Sequence, residues 1–468
     1  MLPTSPEYYC VVAVLFFAFW LVRSKQVPAL ALILTVNLFF YARWGLIYLA
    51  LVPLAATCDF FLARGMSVRP KGKLRSFLLL LSLVLNIGLI AFCRYVPGYL
   101  TAAGILLPLS LSFYAFQALT YTLDVYRGDA KPVASYLAYL SSVTFFPTIV
   151  AGPITRVASL APQWNWKGKV LSSEDGSRAL FLIGLGLFKK FLIADYLAAN
   201  LVNRVFDLPS LYSGGEVLAA VYGYSFQLYY DFSGYSDMAI GSALLLGIRL
   251  PANFNLPYLA ENLPDFWRRW HISFSNWLRD YLYFALPGPR TKVMPYLNLI
   301  ITMAIGGLWH GIGWTFFIWG VLHGVGLAFF RLWQALRSGM TGKPAAAKKQ
   351  TGTLAGRVFA RLLTFHFVLL TWIFFRASSV DAALQVLSQI GNAFARQKFA
   401  FDNVTPAFLA VLLIAAIAHF APAKWFESGG VWFSRTPAVL QAAALVLLTV
   451  AIQLVSSSGA APFIYSKF

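Results

Sequence analysis

Five histidines, His271, His310, His323, His366 and His419, are the residues best suited to proton transfer in this 468-residue chain. An imidazole is the side chain whose ordinary pKa lets it exchange a proton near neutral pH. His310 lies in Gly306-Gly307-Leu308-Trp309-His310-Gly311, at the end of an apolar run. The glycines remove side-chain bulk and let a second helix or a ligand approach closely. An imidazole in apolar surroundings is costly without a partner or a task, so His310 is either bonded to a neighbouring helix or functional. His271 lies in Asp265-Phe266-Trp267-Arg268-Arg269-Trp270-His271-Ile272-Ser273, and the segment runs on through Asn276, Trp277, Arg279 and Asp280. At helical spacing Phe266, Trp270 and Trp277 share an apolar face while Arg268, Arg269 and Arg279 point elsewhere. That pattern fits an interfacial helix with an aromatic belt and snorkelling arginines, or a functional segment. His323 is placed to support His310 from one helical turn or more away. His366 and His419 sit in apolar runs without polar company and read as structural.

Two further polar stretches stand out, Leu107 to Tyr114 and Asp231-Phe232-Ser233-Gly234-Tyr235-Ser236-Asp237. Asp231 and Asp237 are six residues apart and do not share a helical face, so a broken helix is expected there rather than an acid pair. Soluble-enzyme signatures are missing. Gly342-Lys343 is followed by Pro344, so there is no phosphate-binding loop, and no zinc pair, H-e-x-x-h or nucleophile elbow occurs. Cys10, Cys58 and Cys93 lie in or beside apolar runs, show no metal or redox spacing and are expected to be packing residues.

The elements that must position these residues are membrane helices. The chain is 59% hydrophobic and 12% charged, about half the charge of a soluble domain. Apolar runs from Tyr8, Val27, Leu46, Phe77, Leu106, Ala179, Val217, Tyr296, Trp314, Leu362, Phe408 and Val439 predict roughly a dozen crossings in an all-α, polytopic fold. Several runs are short or carry polar groups, which predicts re-entrant or broken helices inside the protein. The net charge is +20. Its lysines and arginines sit in short connections, which points to cytoplasmic loops rather than nucleic acid. Arg23 and Lys25, then Arg64 to Arg75, then Arg331 to Arg361, and finally Lys424 and Arg435 mark those loops, leaving both termini outside. No positive segment precedes the first run and no cleavage site follows it, so it reads as a retained helix.

The sequence shows no internal repeat and no separate soluble domain, and residues 1–468 read as one embedded unit. Gln163 to Arg178 is expected to form an interfacial loop, and Asp381 to Phe399 an amphipathic surface helix. Residues 337–361 are expected to form a mobile cytoplasmic loop. Polar density peaks from Asp231 to Arg290, so function is sought there first.

At this point a resemblance emerges. Tyr230 to Ala239, Asp265 to Tyr283 and Gly307-Leu308-Trp309-His310-Gly311 resemble the membrane-bound O-acyltransferase family. They are most similar to its bacterial branch that O-acetylates exported polysaccharides such as alginate and cellulose. Ser112-Phe113-Tyr114, Asp124 to Gly128, Ala151 to Ile154, Trp372 to Ala377 and Phe463-Ile464-Tyr465 extend the likeness over nearly the whole chain, with core motifs across 107–156 and 222–325. Where this branch commonly has Leu-Gly-Gly-Asn-Arg, the chain has Leu286-Pro287-Gly288-Pro289-Arg290.

The resemblance implies an acyltransferase with helices around a central cavity, two functional histidines at His310 and His271, and no bound cofactor or metal. It implies an acyl thioester such as acetyl-CoA as donor. His310 would take the proton of an attacking hydroxyl, and His271 would orient the donor or stabilise charge. Trp309, Arg268, Arg269, Arg279, Asp231, Asp237 and His323 are candidates to line the donor path or cavity. It further implies a bacterial inner-membrane location and a periplasmic acetyltransferase or related partner within polysaccharide-export machinery. D-alanyl transfer from a carrier protein to teichoic acid is the alternative chemistry. A secondary transporter, which would show inverted repeats, is the alternative class.

Overall fold

The computed structural model describes residues 3–95, 110–288, 291–341 and 353–455. The Leu107 to Tyr114 stretch falls partly outside them. Of the expected 337–361 loop, residues 342–352 fall outside, and its two ends are not loop but the end of helix Trp314–Thr341 and the start of helix Leu354–Arg376. Pro289, Arg290 and the Phe463-Ile464-Tyr465 ending also fall outside. Among the described residues the chain is helical without strands, as an all-α membrane fold requires, since helices satisfy their own backbone hydrogen bonds in lipid.

Five described helices are long and apolar enough to cross a bilayer: Tyr48–Ser67, Lys73–Ala91, Trp314–Ser338, Leu354–Arg376 and Ala438–Val455. Pro6–Val22 and Gln26–Ala42 are apolar but shorter, and Pro406–Phe420 is followed by a sharply bent partner. Of the other apolar runs, those from Val217 and Tyr296 form the continuous helices Gly214–Leu245 and Met294–His310, whereas the run from Ala179 is irregular. The run from Ala179 passes from an α-helix, Ser173–Leu187, into a π-helix, Phe188–Asp195. Such widened turns are frequent at functional sites.

The described residues gather into two compact units. The first comprises Met1–Leu187, Gly234–Ala252 and Gly429–Val446. Its core is rich in aromatic side chains, including stacked Phe40 and Phe146 at 5.0 Å. Trp164 and Trp166, expected in an interfacial loop, are buried here instead. Their indole N–H groups donate to Ser142 Oγ at 2.6 Å and to the Leu246 carbonyl at 3.2 Å, which removes the cost of burying them. Cys10 and Cys58, expected as packing residues, lie on exposed helix faces; in lipid a thiol there loses nothing.

The second unit comprises Phe188–Ser233, Asn253–Ser428 and Leu447–Phe468. Helices Met294–His310 and Trp314–Thr341 form a tight hairpin in it. A Cβ on Gly307 would lie 2.3 Å from the Phe316 carbonyl, and one on Gly320 would lie 2.3 Å from that of Met303. These glycines bring the two backbones together, the usual basis of close packing in membranes. The surface helix forms as Val380–Arg396, capped by Ser379, with Ala383 and Val386 buried.

Two local expectations change. The 231–237 stretch is not a break, because helix Gly214–Leu245 runs through it unbroken. Its start is a capping box. The Ser213 amide donates to Glu216 at 2.8 Å and the Glu216 amide to Ser213 Oγ at 3.2 Å. Gly234 serves close packing: a Cβ on Gly186 would lie 2.5 Å from the Gly234 carbonyl. The break falls instead in the Arg-rich segment expected to be one helix. Leu263–Trp267 and Ile272–Trp277 are separate short helices.

Candidate active site

His271 sits at the break between those short helices, with φ of 40° in the left-handed region. A non-glycine residue there carries strain of order 1–3 kcal/mol, and such strain gathers at functional sites. What holds the turn is a strap around Asn253. The Ile272 amide donates to the Asn253 carbonyl at 2.9 Å, and the Asn255 amide to the Arg269 carbonyl at 2.9 Å. Asn253 Oδ1 accepts from the Ser273 amide at 3.3 Å and the Ser273 hydroxyl at 2.9 Å, and it lies 3.1 Å from His271 Nδ1. His271 lies outside the spanning helices and is buried. Burial disfavours the charged ring and pushes its pKa down to about 3, so the imidazole is neutral.

His310 is the last residue of its helix, and the backbone turns away at Gly311. Its ring is 4.5 Å from Trp309, 5.2 Å from Trp319 and 5.2 Å from Phe375. The two histidines, 39 positions apart in sequence, meet through shared aromatic neighbours. Phe274 lies 5.1 Å from His271 and 5.6 Å from His310. Trp309 lies 6.5 Å from His271 and 4.5 Å from His310. Phe232 closes the other side of His271 at 4.6 Å. The result is a buried aromatic cluster around two imidazoles, an environment in which electrostatic effects are strengthened.

The other expected residues divide. His323 lies behind Trp319, whose ring is 5.1 Å from it and 5.2 Å from His310. Thr371 spends its hydroxyl proton on the Val368 carbonyl at 2.8 Å, so it accepts from His323 Nε2–H at 2.9 Å. His323 therefore supports the Trp319 wall. Arg269 is a clasp, bonded to Asp265 at 3.1 Å and to the Asn255 carbonyl at 3.3 Å. Arg268 and Arg279 line a cavity of about 480 Å³, joined by Arg331 and by apolar Leu299, Met303 and Phe330. Trp267 forms part of its wall and packs 5.9 Å from Trp319, one ring from His310. Asp231 is paired with buried Lys190 at 2.6 Å, and Lys190 also meets Asp195 at 2.7 Å. Asp237 belongs to the first unit. His366 bonds Tyr222 at 2.7 Å, and His419 accepts from the Tyr258 amide at 3.1 Å.

Sequence reasoning missed Asn253, Lys190, Asp195 and Trp319 as parts of this region, and used Arg331 only as a loop marker. Lys190 was legible in principle, since a lysine inside an apolar run calls for a carboxylate partner. Asn253 carried no comparable signal, because its importance arises only when residues 253 and 271 are folded together. Among the described residues no cluster of three His, Cys, Asp or Glu side chains could hold a metal ion.

A sequence profile of the membrane-bound O-acyltransferase family matches residues 129–368, which contain both histidines and the cavity. The chain is 37% identical to the peptidoglycan O-acetyltransferase of Helicobacter pylori, over 78% of this chain and 74% of that protein. It is 37% identical to a probable alginate O-acetylase of Azotobacter vinelandii, over 82% of this chain and 77% of that protein. A probable alginate O-acetylase of Pseudomonas putida is 31% identical over 93% of this chain and 94% of its own length.

Proposed function

Because this chain belongs to the membrane-bound O-acyltransferase family and is an O-acyltransferase, we propose that it passes an acetyl group from a thioester donor to a hydroxyl, for O-acetylation of an exported polysaccharide. The observation that carries this reading is the convergence of His271 and His310 on Phe274 and Trp309. Sequence places the two histidines in separate motifs, and a shared task accounts for their meeting on the same aromatic rings.

The donor enters through the cavity that Arg268, Arg279 and Arg331 line. Guanidinium groups bind phosphate oxygens in forked geometry, which suits the phosphates of coenzyme A or of a phosphopantetheine carrier. The apolar wall of Leu299, Met303 and Phe330 accommodates the pantetheine arm. The acceptor hydroxyl attacks the thioester carbonyl carbon, forming the new C–O bond as the C–S bond breaks. His310 takes the hydroxyl proton during attack and returns it to the departing thiolate. General-base help of this kind is worth about 10²–10⁴-fold. No metal or bound cofactor takes part.

The donor is cytoplasmic and the acceptor faces the other side of the bacterial inner membrane, with both termini outside. A periplasmic acetyltransferase or related partner carries the group onward to the polymer, so the immediate acceptor hydroxyl can belong to that partner. Alginate and cellulose are the candidate polymers. The test is O-acetylation of the exported polymer in cells producing His310→Ala at wild-type membrane levels. Loss of acetyl esters supports the reading; full acetylation ends it. Supplying purified protein with radiolabelled acetyl-CoA or D-alanyl-carrier thioester separates acetyl transfer from the D-alanyl alternative.

A further inference from the structure

We infer that Asn253 is a positioning residue for the reaction: it fixes His271 as the Nδ1–H tautomer, so that Nε2 is the hydrogen-bond-accepting nitrogen turned to the chemistry. This rests on the acyl-transfer reading and specifies what one of its two histidines does.

The assignment of protons follows from the partners of one oxygen. Asn253 Oδ1 lies 3.3 Å from the Ser273 backbone N–H, which can only donate. The atom facing it must therefore be the amide oxygen rather than the amide nitrogen, which settles the orientation of the side chain. The same oxygen accepts from the Ser273 hydroxyl at 2.9 Å. His271 Nδ1, 3.1 Å from that oxygen, must then carry a proton. A neutral imidazole has one N–H, so Nε2 holds a lone pair. Asn253 is only 1% exposed, and His271 likewise. No bulk water competes for these bonds.

The backbone is built around this contact. The left-handed conformation of His271 is held from both sides by Asn253, through its carbonyl to Ile272 and its side chain to Ser273. Remove the amide oxygen and three donors lose their shared acceptor, while the strained turn loses its clamp. This is the logic by which a buried carboxylate orients a catalytic histidine in hydrolases, here carried by a neutral amide.

The chemical consequence concerns the role of His271. A neutral ring with Nε2 unprotonated cannot donate to a developing oxyanion. It can accept a hydrogen bond from a hydroxyl. His271 thus takes a hydrogen bond from a donor group of the bound substrates other than the reacting O–H, whose proton goes to His310, and the charge stabilisation expected of it from sequence must come from other donors. A carboxylate at position 253 would keep the tautomer and raise the imidazole pKa by its charge. Charged and titratable groups on the elements packed against His271 are Glu216, Asp231 and Asp237 on helix Gly214–Leu245, and His310 on helix Met294–His310. Asp265, Arg268 and Arg269 lie on its own segment, and Lys190 neutralises Asp231.

The direct test is nitrogen NMR on the purified wild-type protein in lipid, labelled with [15N]histidine and assigned with His271→Gln. The expected signal is a neutral ring protonated at Nδ1. A ring protonated at Nε2 overturns the inference without touching the acyl-transfer reading, which His310→Ala tests separately. Kinetics give a second route. Asn253→Ala is expected to lower kcat more than 100-fold with little change in donor KM. Asn253→Asp is expected to restore at least a tenth of wild-type activity and to move the acid limb of the pH profile upward by a unit or more. A folded Asn253→Ala enzyme with wild-type kcat, or a folded Asn253→Asp enzyme with an unshifted acid limb, overturns it. Should either variant fail to fold, the wild-type NMR measurement decides.

Discussion

Asp59 and His271 are both buried polar groups in a chain made for lipid, and the structure holds them in opposite ways. Asp59 sits in the middle of the unbroken helix Tyr48–Ser67. Its carboxylate accepts from Ser82 at 2.6 Å and from Asn86 at 2.8 Å, and Ser82 also reaches Thr122 at 3.0 Å. Those partners come from helices Lys73–Tyr95 and Ser110–Arg127, so the cluster ties three regular helices together. His271 sits at a break between two helices of five and six residues, in a left-handed conformation that a strap must hold. An ionisable group in a membrane protein is a functional candidate by default. The contrast shows that the backbone decides between the two cases. Regular helices bury Asp59 to hold each other, whereas the strained turn at a helix break sets the direction of the His271 side chain.

If this distinction is right, substitutions in the two regions fail differently. His310→Ala is expected to cost about 10²–10⁴-fold in acyl transfer while membrane abundance and thermal stability stay near wild type, measured by single-turnover transfer and by melting in detergent. Replacing Arg268, Arg279 and Arg331 together by alanine is expected to raise donor KM by about tenfold or more, with a smaller change in kcat, since even one charged hydrogen bond to a ligand is worth about 1.5–3 kcal/mol. Gly320→Val is expected to destabilise the hairpin by about 1–3 kcal/mol, because its side chain has no space beside the Met303 carbonyl; a lower melting temperature checks this. Asp59→Ala is expected to cost about 1–3 kcal/mol of stability by leaving Ser82 and Asn86 without their acceptor, while the folded fraction transfers acyl groups within about twofold of wild type. A folded Asp59→Ala protein with no transfer would erase the distinction.

Much of this was legible before folding. The apolar runs announced the helices, and the glycines beside His310 announced a close neighbour, which proved to be helix Trp314–Thr341. The Trp-His-Gly and Trp-His-Ile-Ser motifs pointed to the two histidines. Spacing failed where backbone conformation overrode it. Phe266 to Trp277 has helical spacing, yet the left-handed His271 divides it and leaves Phe266 stacked on Trp270 at 5.7 Å while Trp277 packs on Tyr281 instead. Polar content at 231–237 suggested a break, but Gly234 there serves close packing of a continuous helix. Asn253 was invisible because an asparagine between turn-forming residues has no distinguishing pattern until its partner is known.

The central claim is that His271 and His310 act on one reaction in one pocket. A double-mutant cycle on single-turnover acyl transfer with His271→Ala, His310→Ala and the double variant tests it most directly. Groups that work as a unit are strongly non-additive, so the double variant is predicted to be no slower than about threefold below the worse single variant. Full multiplication of the two single losses would contradict the account.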